Sequence, residues 1–377
     1  MLSRLRDFGT RHRKKFIVTG ILIGGTYFAI RYAQNKLLEF QERQAKEYFE
    51  KTRRLQHFEA TERTCNQVIL GMGTELLDTI LKECSTTELL EQLRQNPSNK
   101  VELWEEMKIV SFTRLTTIIY ATSMLSIALR VQLNLLGGYL YRDVTSENIQ
   151  INDELKQTYL SLIGHFIHDG GLKELIRVIR SKIMAILKPL PLSKQLTLLD
   201  IEQLFWSIQM AVNSDSDDPN TKMSQYLLPR KISDFHMNGP LLEKLFNETL
   251  DVLETEDATN ICSNNISRGF SLAVDAIAEN LSETIQITNR ETKKDINVDD
   301  DSSQNNNAVL NINNVHIALA KVIPIVSGIT SRGFDNTKSP QNLPTSLLTF
   351  YVVAEKIKTL GANVYESFSS VPELKKV

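Results

Sequence analysis

The chain has 377 residues, of which 42% are hydrophobic and 23% are charged, so it can bury a full core and fold. Its 16 glycines and 10 prolines are roughly half of what average usage would give. This scarcity excludes a turn-dense β-sandwich or a glycine-rich nucleotide-binding fold and favours long helices. The three cysteines, Cys65, Cys84 and Cys262, are odd in number and far apart, so the sequence predicts neither a disulfide framework nor a zinc module. A reducing compartment is the simplest location for such a chain.

Charge is distributed unevenly along the chain. Residues 1–36 hold eight basic residues and a single acidic one, Asp7, which is a local charge of +7. Because the whole chain carries −2, the remaining residues carry −9. Nucleic-acid binders place a basic face on the folded domain, so nucleic acid is not a predicted partner.

The basic leader, residues 1–15, precedes a candidate membrane segment. Fifteen uncharged residues run from Phe16 to Ile30, between Lys15 and Arg31. As a helix they measure roughly 22 Å, short of the ~30 Å hydrocarbon core, but the flanking basic side chains can reach the headgroups. We predict a transmembrane anchor over residues 16–32, followed by a helical domain over residues 33–377.

A cleaved signal peptide is the alternative for this segment. The stretch Tyr27–Tyr32 offers no small-x-small cleavage site, which favours an uncleaved anchor. By the charge rule, the six basic residues before Phe16 favour a cytosolic N-terminus. This bias is modest because Arg31, Lys36, Arg43 and Lys46 lie on the other side of the anchor, so charge alone leaves the membrane orientation open.

The sequence beyond the anchor predicts a series of helices. Residues 31–63 lack glycine and proline and carry acid-then-base pairs four residues apart, which predicts a continuous helix. Ser85–Glu88 has the spacing of a capping box that opens a short helix with Leu89, Leu90 and Leu93. A long helix is predicted from Lys100 to Leu136, ending at Gly137 and Gly138.

The middle of that long helix has fifteen uncharged residues between Arg114 and Arg130. Threonines and serines interrupt them, so we interpret the segment as a central buried helix and not as a second transmembrane span. Further helices are predicted over residues 154–167, 172–187, 197–212, 241–253, 261–281, 315–323 and 347–367. Residues 213–221, 282–314 and 331–345 are polar and predicted to be exposed, disordered loops. The predicted fold class is therefore all-α: an elongated helical bundle with a very long central helix after one N-terminal transmembrane helix.

Motifs that carry chemistry are missing from the sequence. His165 and His168 would share a helix face, but a metal site lacks its third ligand in register, and a helix C-terminus is the better interpretation. There is no phosphate-binding loop, no G-x-S-x-G elbow and no H-E-x-x-H. We therefore predict no catalytic residue, no metal site, no cofactor and no enzymatic activity.

Trp104 is the most informative single residue. It lies in the first turns of the long helix, just after the Pro97 corner. Together with Leu90 and Leu93 of the preceding helix it could line an apolar groove for an amphipathic helix, or it could fill the core. The second tryptophan, Trp206, has no corner beside it and is predicted to be core.

Two stretches make the chain resemble the peroxin-3 family of peroxisomal biogenesis factors. They are NPSNKVELWEEMKIVSFTR at residues 96–114 and LRVQLNLLGGYLY at residues 129–141. Shorter agreements lie at residues 63–66, 268–271, 321–326 and 362–366. The polar insert at residues 282–307 departs from the family pattern.

This resemblance implies an all-helical cytosolic domain on a single N-terminal anchor in the peroxisomal membrane, with delivery through the endoplasmic reticulum as one open route. It implies a groove that receives the N-terminal amphipathic helix of peroxin-19, the cytosolic receptor and chaperone for new peroxisomal membrane proteins, which would be indirect partners. The family's key tryptophan corresponds to Trp104. The residues expected to line the groove are Trp104, Leu90, Leu93, Lys100, Leu103, Met107 and Asn134.

Alternative functions lead to different tests. Family members also attach adaptors for organelle inheritance and autophagy, and no residue here can be assigned to that role. A passive tether would bind its partner through the polar loops. A membrane-bound enzyme acting on lipid would need His165 and His168.

Overall fold

The computed structural model of the protein describes residues 2–146, 151–214, 218–230, 239–294, 315–331 and 342–370. Side-chain surroundings are described for residue 28 and for residues 30–145, 151–214, 218–230, 239–282, 315–331 and 342–370. The chain divides into two compact units, residues 1–59 and residues 60–377.

The described residues confirm the all-α fold class, with thirteen helices and one pair of two-residue strands. The helices are α1 (Leu2–Glu83), α2 (Thr87–Arg94), α3 (Lys100–Ser146), α4 (Asp153–Ser161), α5 (Gly164–His168), α6 (Gly171–Leu187), α7 (Leu198–Asn213), α8 (Met223–Leu227), α9 (Pro240–Leu253), α10 (Glu256–Lys294), α11 (Leu319–Ser331), α12 (Leu343–Val353) and α13 (Glu355–Ser369). The strands are β1 (Gln195–Leu196) and β2 (Ile317–Ala318).

Unit 1 consists of helical residues of α1. The predicted anchor, residues 16–32, lies within this helix. The side chains of residues 16–27, including Phe16, lie outside the described residues. Those of Phe28, Ile30 and Tyr32 are 72%, 59% and 68% exposed.

The core of unit 2 is built around α3. Helices α6, α9, α10, α11, α12 and α13 all pack on it. From residue 107 to residue 139 every side chain of α3 is buried. Among the described residues α3 is the helix long and apolar enough to cross a membrane, and its most apolar stretch is completely buried. The interpretation of this stretch as a central helix of the domain is confirmed.

The predicted end of α3 at Gly137 and Gly138 is wrong, because the helix continues to Ser146. A Cβ atom on Gly137 would lie 2.8 Å from Cγ2 of Thr61, and one on Gly138 would lie 2.9 Å from Cβ of Phe368. The two glycines therefore allow neighbouring helices to approach α3 closely, which is a packing role and not a helix stop.

The capping box predicted at Ser85–Glu88 is also wrong. Thr86 precedes α2 and its side chain makes no cap, while the Ser85 hydroxyl accepts the backbone N–H of Thr87 at 3.3 Å and forms no capping box with Glu88. The Thr86 hydroxyl instead accepts a hydrogen bond from Nη1 of Arg114 at 3.3 Å. Arg114 lies on α3, so the Thr86 hydroxyl makes a tertiary hydrogen bond and does not cap α2.

Two of the predicted helices are each two separate helices in the structure. The helix predicted over residues 154–167 is divided into α4 and α5, and the one predicted over residues 347–367 is divided into α12 and α13 at Ala354. The helix predicted to begin at residue 315 begins at Leu319. The residues before it form β2, which pairs with β1 in antiparallel register, Gln195 opposite Ala318.

The predicted loops are only partly described. Residues 215–217, 295–314 and 332–341 lie outside the described residues. Helix α10 extends through residues 282–294 and α12 begins at Leu343, so these parts of the predicted loops are helical. Asp218 and Asn220 are each only 6% exposed, which contradicts an exposed loop at that position.

Candidate docking surface at the α2–α3 corner

A tight corner connects α2 to α3. Asn96 adopts a left-handed conformation with φ of 57°, which ends α2, and Pro97 prevents its continuation. The carbonyl of Asn99 then accepts the backbone N–H of Leu103 at 3.2 Å, so α3 begins at Lys100. Helix α2 packs on α3, which brings the side chains of the two helices together.

Trp104 lies at the boundary between the exposed and the buried side of α3. Lys100, one turn before it, is exposed, and Trp104 itself is half-buried. Leu103 and Met107 are adjacent on the helix and point inward, with 8% and 1% of their surface exposed. Trp104 therefore lies between the exposed Lys100 and the buried Leu103 and Met107 along α3.

The α2 side of the corner supplies two leucines. Leu90 is 44% exposed and Leu93 is half-buried. We name the set Leu90, Leu93, Lys100, Leu103, Trp104 and Met107 the Trp104 surface. It combines an exposed leucine, a half-exposed tryptophan and a cation, which is the composition expected of a helix-binding groove.

Two ion pairs hold the beginning of α3. Lys108 is completely buried; its ammonium group pairs with the Glu105 carboxylate and donates a hydrogen bond to the carbonyl of Leu190 at 2.7 Å. Arg180 of α6 pairs with Glu106. These contacts attach the turn that carries Trp104 to α6 and to the segment that follows α6, so the tryptophan has a rigid support.

Arg114 holds α2 against the rest of unit 2. Besides Thr86, its guanidinium group donates to the Thr330 hydroxyl at 2.9 Å and to the carbonyl and hydroxyl of Ser327, each at 2.8 Å. Arg114 is only 3% exposed. The buried guanidinium group of Arg114 therefore connects Thr86, the residue before α2, to Ser327 and Thr330 on α11.

The assignment of Asn134 to this surface is wrong. Asn134 follows Trp104 by thirty residues on the same helix, which at 1.5 Å per residue is about 45 Å away. Its side chain is fully buried and donates to Oε1 of Glu62 at 3.1 Å and to the carbonyl of Arg130 at 2.9 Å. Asn134 belongs to a core hydrogen-bond network around Arg130.

The prediction that Trp206 is core is also wrong, since Trp206 is 63% exposed on α7. The helical phase gives the reason. Ile201, Leu204, Phe205 and Ile208 are all buried and follow the spacing of one helix face, and Trp206 lies off that face. This helical spacing of apolar residues can be identified from the sequence alone.

No other described cluster has the geometry of a reactive site. His168 lies 3.4 Å from a carboxylate oxygen of Glu75 and His165 lies 3.9 Å from Asp169, so the two histidines have separate partners. Within the described residues no group of three or more histidine, cysteine or acidic side chains could hold a metal ion.

The three cysteines are buried free thiols. Burial raises the pKa of Cys65 and of Cys262 to about 12, and that of Cys84 to about 11. All three thiols are therefore protonated at neutral pH, whereas a nucleophilic cysteine needs a lowered pKa.

Comparison with known proteins identifies the family. A family model described as Peroxin-3 matches residues 7–100, 96–143 and 140–367. The chain belongs to the Peroxin-3 family. Peroxisomal biogenesis factor 3 of mouse is 35% identical over 394 residues, which cover 100% of this chain and 100% of the mouse protein. The human protein of the same name is also 35% identical over 395 residues, with both chains covered completely.

More distant members of the Peroxin-3 family match less of the chain. Peroxisome biogenesis protein 3-1 of Arabidopsis thaliana is 26% identical over 294 residues, covering 69% of this chain and 79% of the plant protein. The matches at full length to the mouse and human proteins span both the predicted anchor and the Trp104 surface.

Proposed function

We propose that this protein acts in peroxisome biogenesis as a membrane-anchored docking receptor, and that it binds the N-terminal amphipathic helix of peroxin-19 at the Trp104 surface. Membership of the Peroxin-3 family and the names of its full-length relatives support the role in biogenesis. Peroxisomal membrane proteins carried by peroxin-19 are indirect partners in this proposal. The role is one of binding and involves no reaction.

The observation that carries the proposal is the half-exposed Trp104 at the α2–α3 corner. A tryptophan supplies a large apolar area and few rotatable bonds, which makes it a strong anchor for a partner helix. Leu90 and Leu93 on one side and the buried Leu103 and Met107 beneath provide the apolar surroundings. Lys100 at the edge can pair with an acidic side chain of the partner helix.

We further propose that residues 16–32 anchor the protein in the peroxisomal membrane as a single span, with the bulk of the chain in the cytosol. The continuous helix α1 and the exposed Phe28, Ile30 and Tyr32 support an anchor whose apolar side chains face lipid. Delivery through the endoplasmic reticulum stays an open route within this proposal.

The docking proposal is tested by titration of the N-terminal helix of peroxin-19 into the full chain reconstituted in nanodiscs. The chain has only two tryptophans, so Trp206→Phe leaves Trp104 as the sole tryptophan reporter. We expect a saturable change in Trp104 fluorescence. Calorimetric titration of Trp104→Ala should show a loss of at least ~2 kcal/mol, about thirtyfold in Kd.

Val144→Ala is the matched control, because Val144 is a 58% exposed valine on the same helix α3, forty residues beyond Trp104. This variant should bind the helix as the wild type does. Empty nanodiscs account for partition of the peptide into lipid. An unchanged Kd for a folded Trp104→Ala variant would contradict the proposed groove.

A further inference from the structure

A second apolar surface lies on α7 and shares no residue with the Trp104 surface. Leu199, Trp206 and Met210 are 60%, 63% and 49% exposed. Their spacing of seven and four residues places them on one stripe along the helix. Over eleven residues this stripe is about 16 Å long, which is three helical turns. Single exposed apolar residues are ordinary, but three on one stripe, one of them a tryptophan, mark this face of α7 as a candidate docking surface.

A cavity of about 430 Å³ opens beside this stripe, between α7 and α10. Phe205 and Phe270 form its floor; their rings lie 5.6 Å apart and are 1% and 5% exposed. The Phe205 ring also lies 5.8 Å from that of Phe112 on α3, so the floor is continuous with the core. Trp206 and Val274 stand at the edge of the cavity.

The two ends of the cavity differ in chemistry. At one end Nε2 of Gln209 donates to the Ser267 hydroxyl at 2.8 Å and joins α7 to α10. Since Gln209 meets Ser267 whereas Phe205 meets Phe270, the two helices run antiparallel. Glu202 and Asp275 therefore fall together at the other end, where both line the cavity and both are exposed. In the part of the chain that the structure describes, neither carboxylate has an ion-pair partner.

We propose that this cavity and stripe, the Trp206 groove (Leu199, Glu202, Phe205, Trp206, Met210, Phe270 and Asp275), form a second docking site for a basic amphipathic helix of a partner protein. Charge complementarity identifies the occupant. The two carboxylates attract Lys or Arg at one end of a partner helix, while the cavity receives its apolar side chain.

Two further features favour a basic peptide over other occupants. The Trp206 ring can stack with a guanidinium or ammonium group of the ligand. The acidic charge of the chain beyond residue 36 attracts a cationic peptide and repels the anionic surface of a membrane.

The probe is a designed sixteen-residue helical peptide with leucines on one face and lysines on the flanks, together with a twin in which glutamate replaces every lysine. Both are titrated into the full chain in zwitterionic nanodiscs. The Trp104→Phe variant leaves Trp206 as the sole tryptophan, so its fluorescence reports on this groove alone. We expect a saturable change with the lysine peptide and at least tenfold weaker binding of the glutamate twin.

Three variants decide the proposal. Glu202→Gln combined with Asp275→Asn should weaken the lysine peptide about tenfold. Trp206→Ala should abolish its saturable binding in a calorimetric titration, which does not depend on the tryptophan that this variant removes. Glu279→Gln is the matched control, because Glu279 is an exposed carboxylate on α10 one turn beyond Asp275 and does not line the cavity. It should leave the affinity unchanged.

Equal binding of the two peptides, or binding that persists in the variants, would overturn the proposal in favour of partition into lipid. Concentration-dependent dimerisation that Trp206→Ala removes would overturn it in favour of a second copy of this chain. The peroxin-19 helix titrated into Trp206→Ala keeps its wild-type affinity if the two surfaces are independent. The failure of one site is therefore distinguishable from the failure of the other.

Discussion

The two tryptophans of the chain have opposite relations to the core. Trp104 is half-buried, and the ion pairs of Lys108 and Arg180 fix the turn that carries it. Trp206 is 63% exposed, and it stands beside a cavity whose aromatic floor is part of the core. A half-buried anchor contributes to stability and to binding together, whereas an exposed one can contribute to binding alone. Variants that separate these two contributions test the difference.

The largest expected effect comes from Arg114→Ala. This change removes a buried cation and leaves the hydroxyls of Thr86, Ser327 and Thr330 without the guanidinium donor. We expect the free energy of unfolding to fall by about 3 kcal/mol, because the truncation leaves a cavity and buried hydroxyls without a hydrogen-bond donor. Chemical denaturation of the full chain in detergent, followed by circular dichroism, measures the loss.

Arg114→Ala should also affect the two surfaces differently. Helix α2 loses its attachment, so affinity at the Trp104 surface should fall, while binding at the Trp206 groove is retained under conditions in which the variant stays folded. Arg177→Ala is the control, because Arg177 forms an exposed pair with Glu174 on α6 and should change stability by about 0.5 kcal/mol or less. Equal losses at both surfaces would mean that α2 has no special dependence on Arg114.

The second prediction compares the tryptophans directly. Trp104→Ala should lower the free energy of unfolding by about 1–2 kcal/mol, because it removes part of a packed apolar layer over Leu103 and Met107. Trp206→Ala should change it by about 0.5 kcal/mol or less, as expected for an exposed side chain. Parallel denaturation curves of the two variants check this. Similar losses would show that Trp206 contributes to the fold despite its exposure.

The sequence predicted the helices well where local signals decide them. Asn96 and Pro97 mark the end of α2, and α3 begins at Lys100, as predicted. Helices α6, α7 and α9 each begin and end within one residue of their predicted bounds. In these cases the stop signal and the hydrophobic period lie within a few residues of each other.

Local signals failed where a distant residue decides the outcome. Gly137 and Gly138 look like a helix stop, but they accommodate side chains more than seventy residues away along the chain. Ser85 and Glu88 have the spacing of a capping box, but α2 begins one residue later, after Thr86, whose hydroxyl binds Arg114. Neither partner could be found from spacing alone, since tertiary packing overrides local preference.

The candidate site was predictable only in part. The position of Trp104 at a corner follows from local sequence, and its importance came from family resemblance. Asn134 was misplaced because resemblance carries no distances, although its separation of thirty residues along one helix was sufficient to exclude it. A tryptophan in an apolar run suggests core, but the helical phase of Ile201, Leu204, Phe205 and Ile208 places Trp206 off the buried face.

A further prediction concerns the helix that carries Trp206. Helix α7 begins with a complete capping box, in which the Thr197 hydroxyl accepts the backbone N–H of Asp200 at 3.2 Å and the Asp200 carboxylate accepts the backbone N–H of Thr197 at 2.7 Å. Helix α2 of the Trp104 surface has no side-chain cap. Thr197→Ala should therefore lower stability by about 1 kcal/mol.

The same variant should also weaken binding at the Trp206 groove and spare the Trp104 surface. Thr158→Ala is the control, because the Thr158 hydroxyl donates to a carbonyl within α4 and caps nothing. Its expected change in the free energy of unfolding is about 0.5 kcal/mol or less. Denaturation curves and the two peptide titrations give both readouts, and an equal loss at the two surfaces would refute a local role for the cap.

The smallest expected effect is the pH dependence of this cap. Hydrogen bonds from the Thr197 backbone N–H and then from its hydroxyl hold the pKa of Asp200 below its usual value. A carboxylate whose pKa is lower in the folded state than in the unfolded state stabilises the fold above the unfolded value of about 3.9, and this contribution is lost as the pH falls through the folded pKa. Asp200→Asn keeps an oxygen that can accept the same N–H but does not titrate, so the stability difference between wild type and variant should be constant near neutral pH and shrink below about pH 4. A difference that stays constant down to pH 3 would mean that the charge of Asp200 does not contribute to the start of α7, and that its side chain acts there only as a neutral hydrogen-bond acceptor.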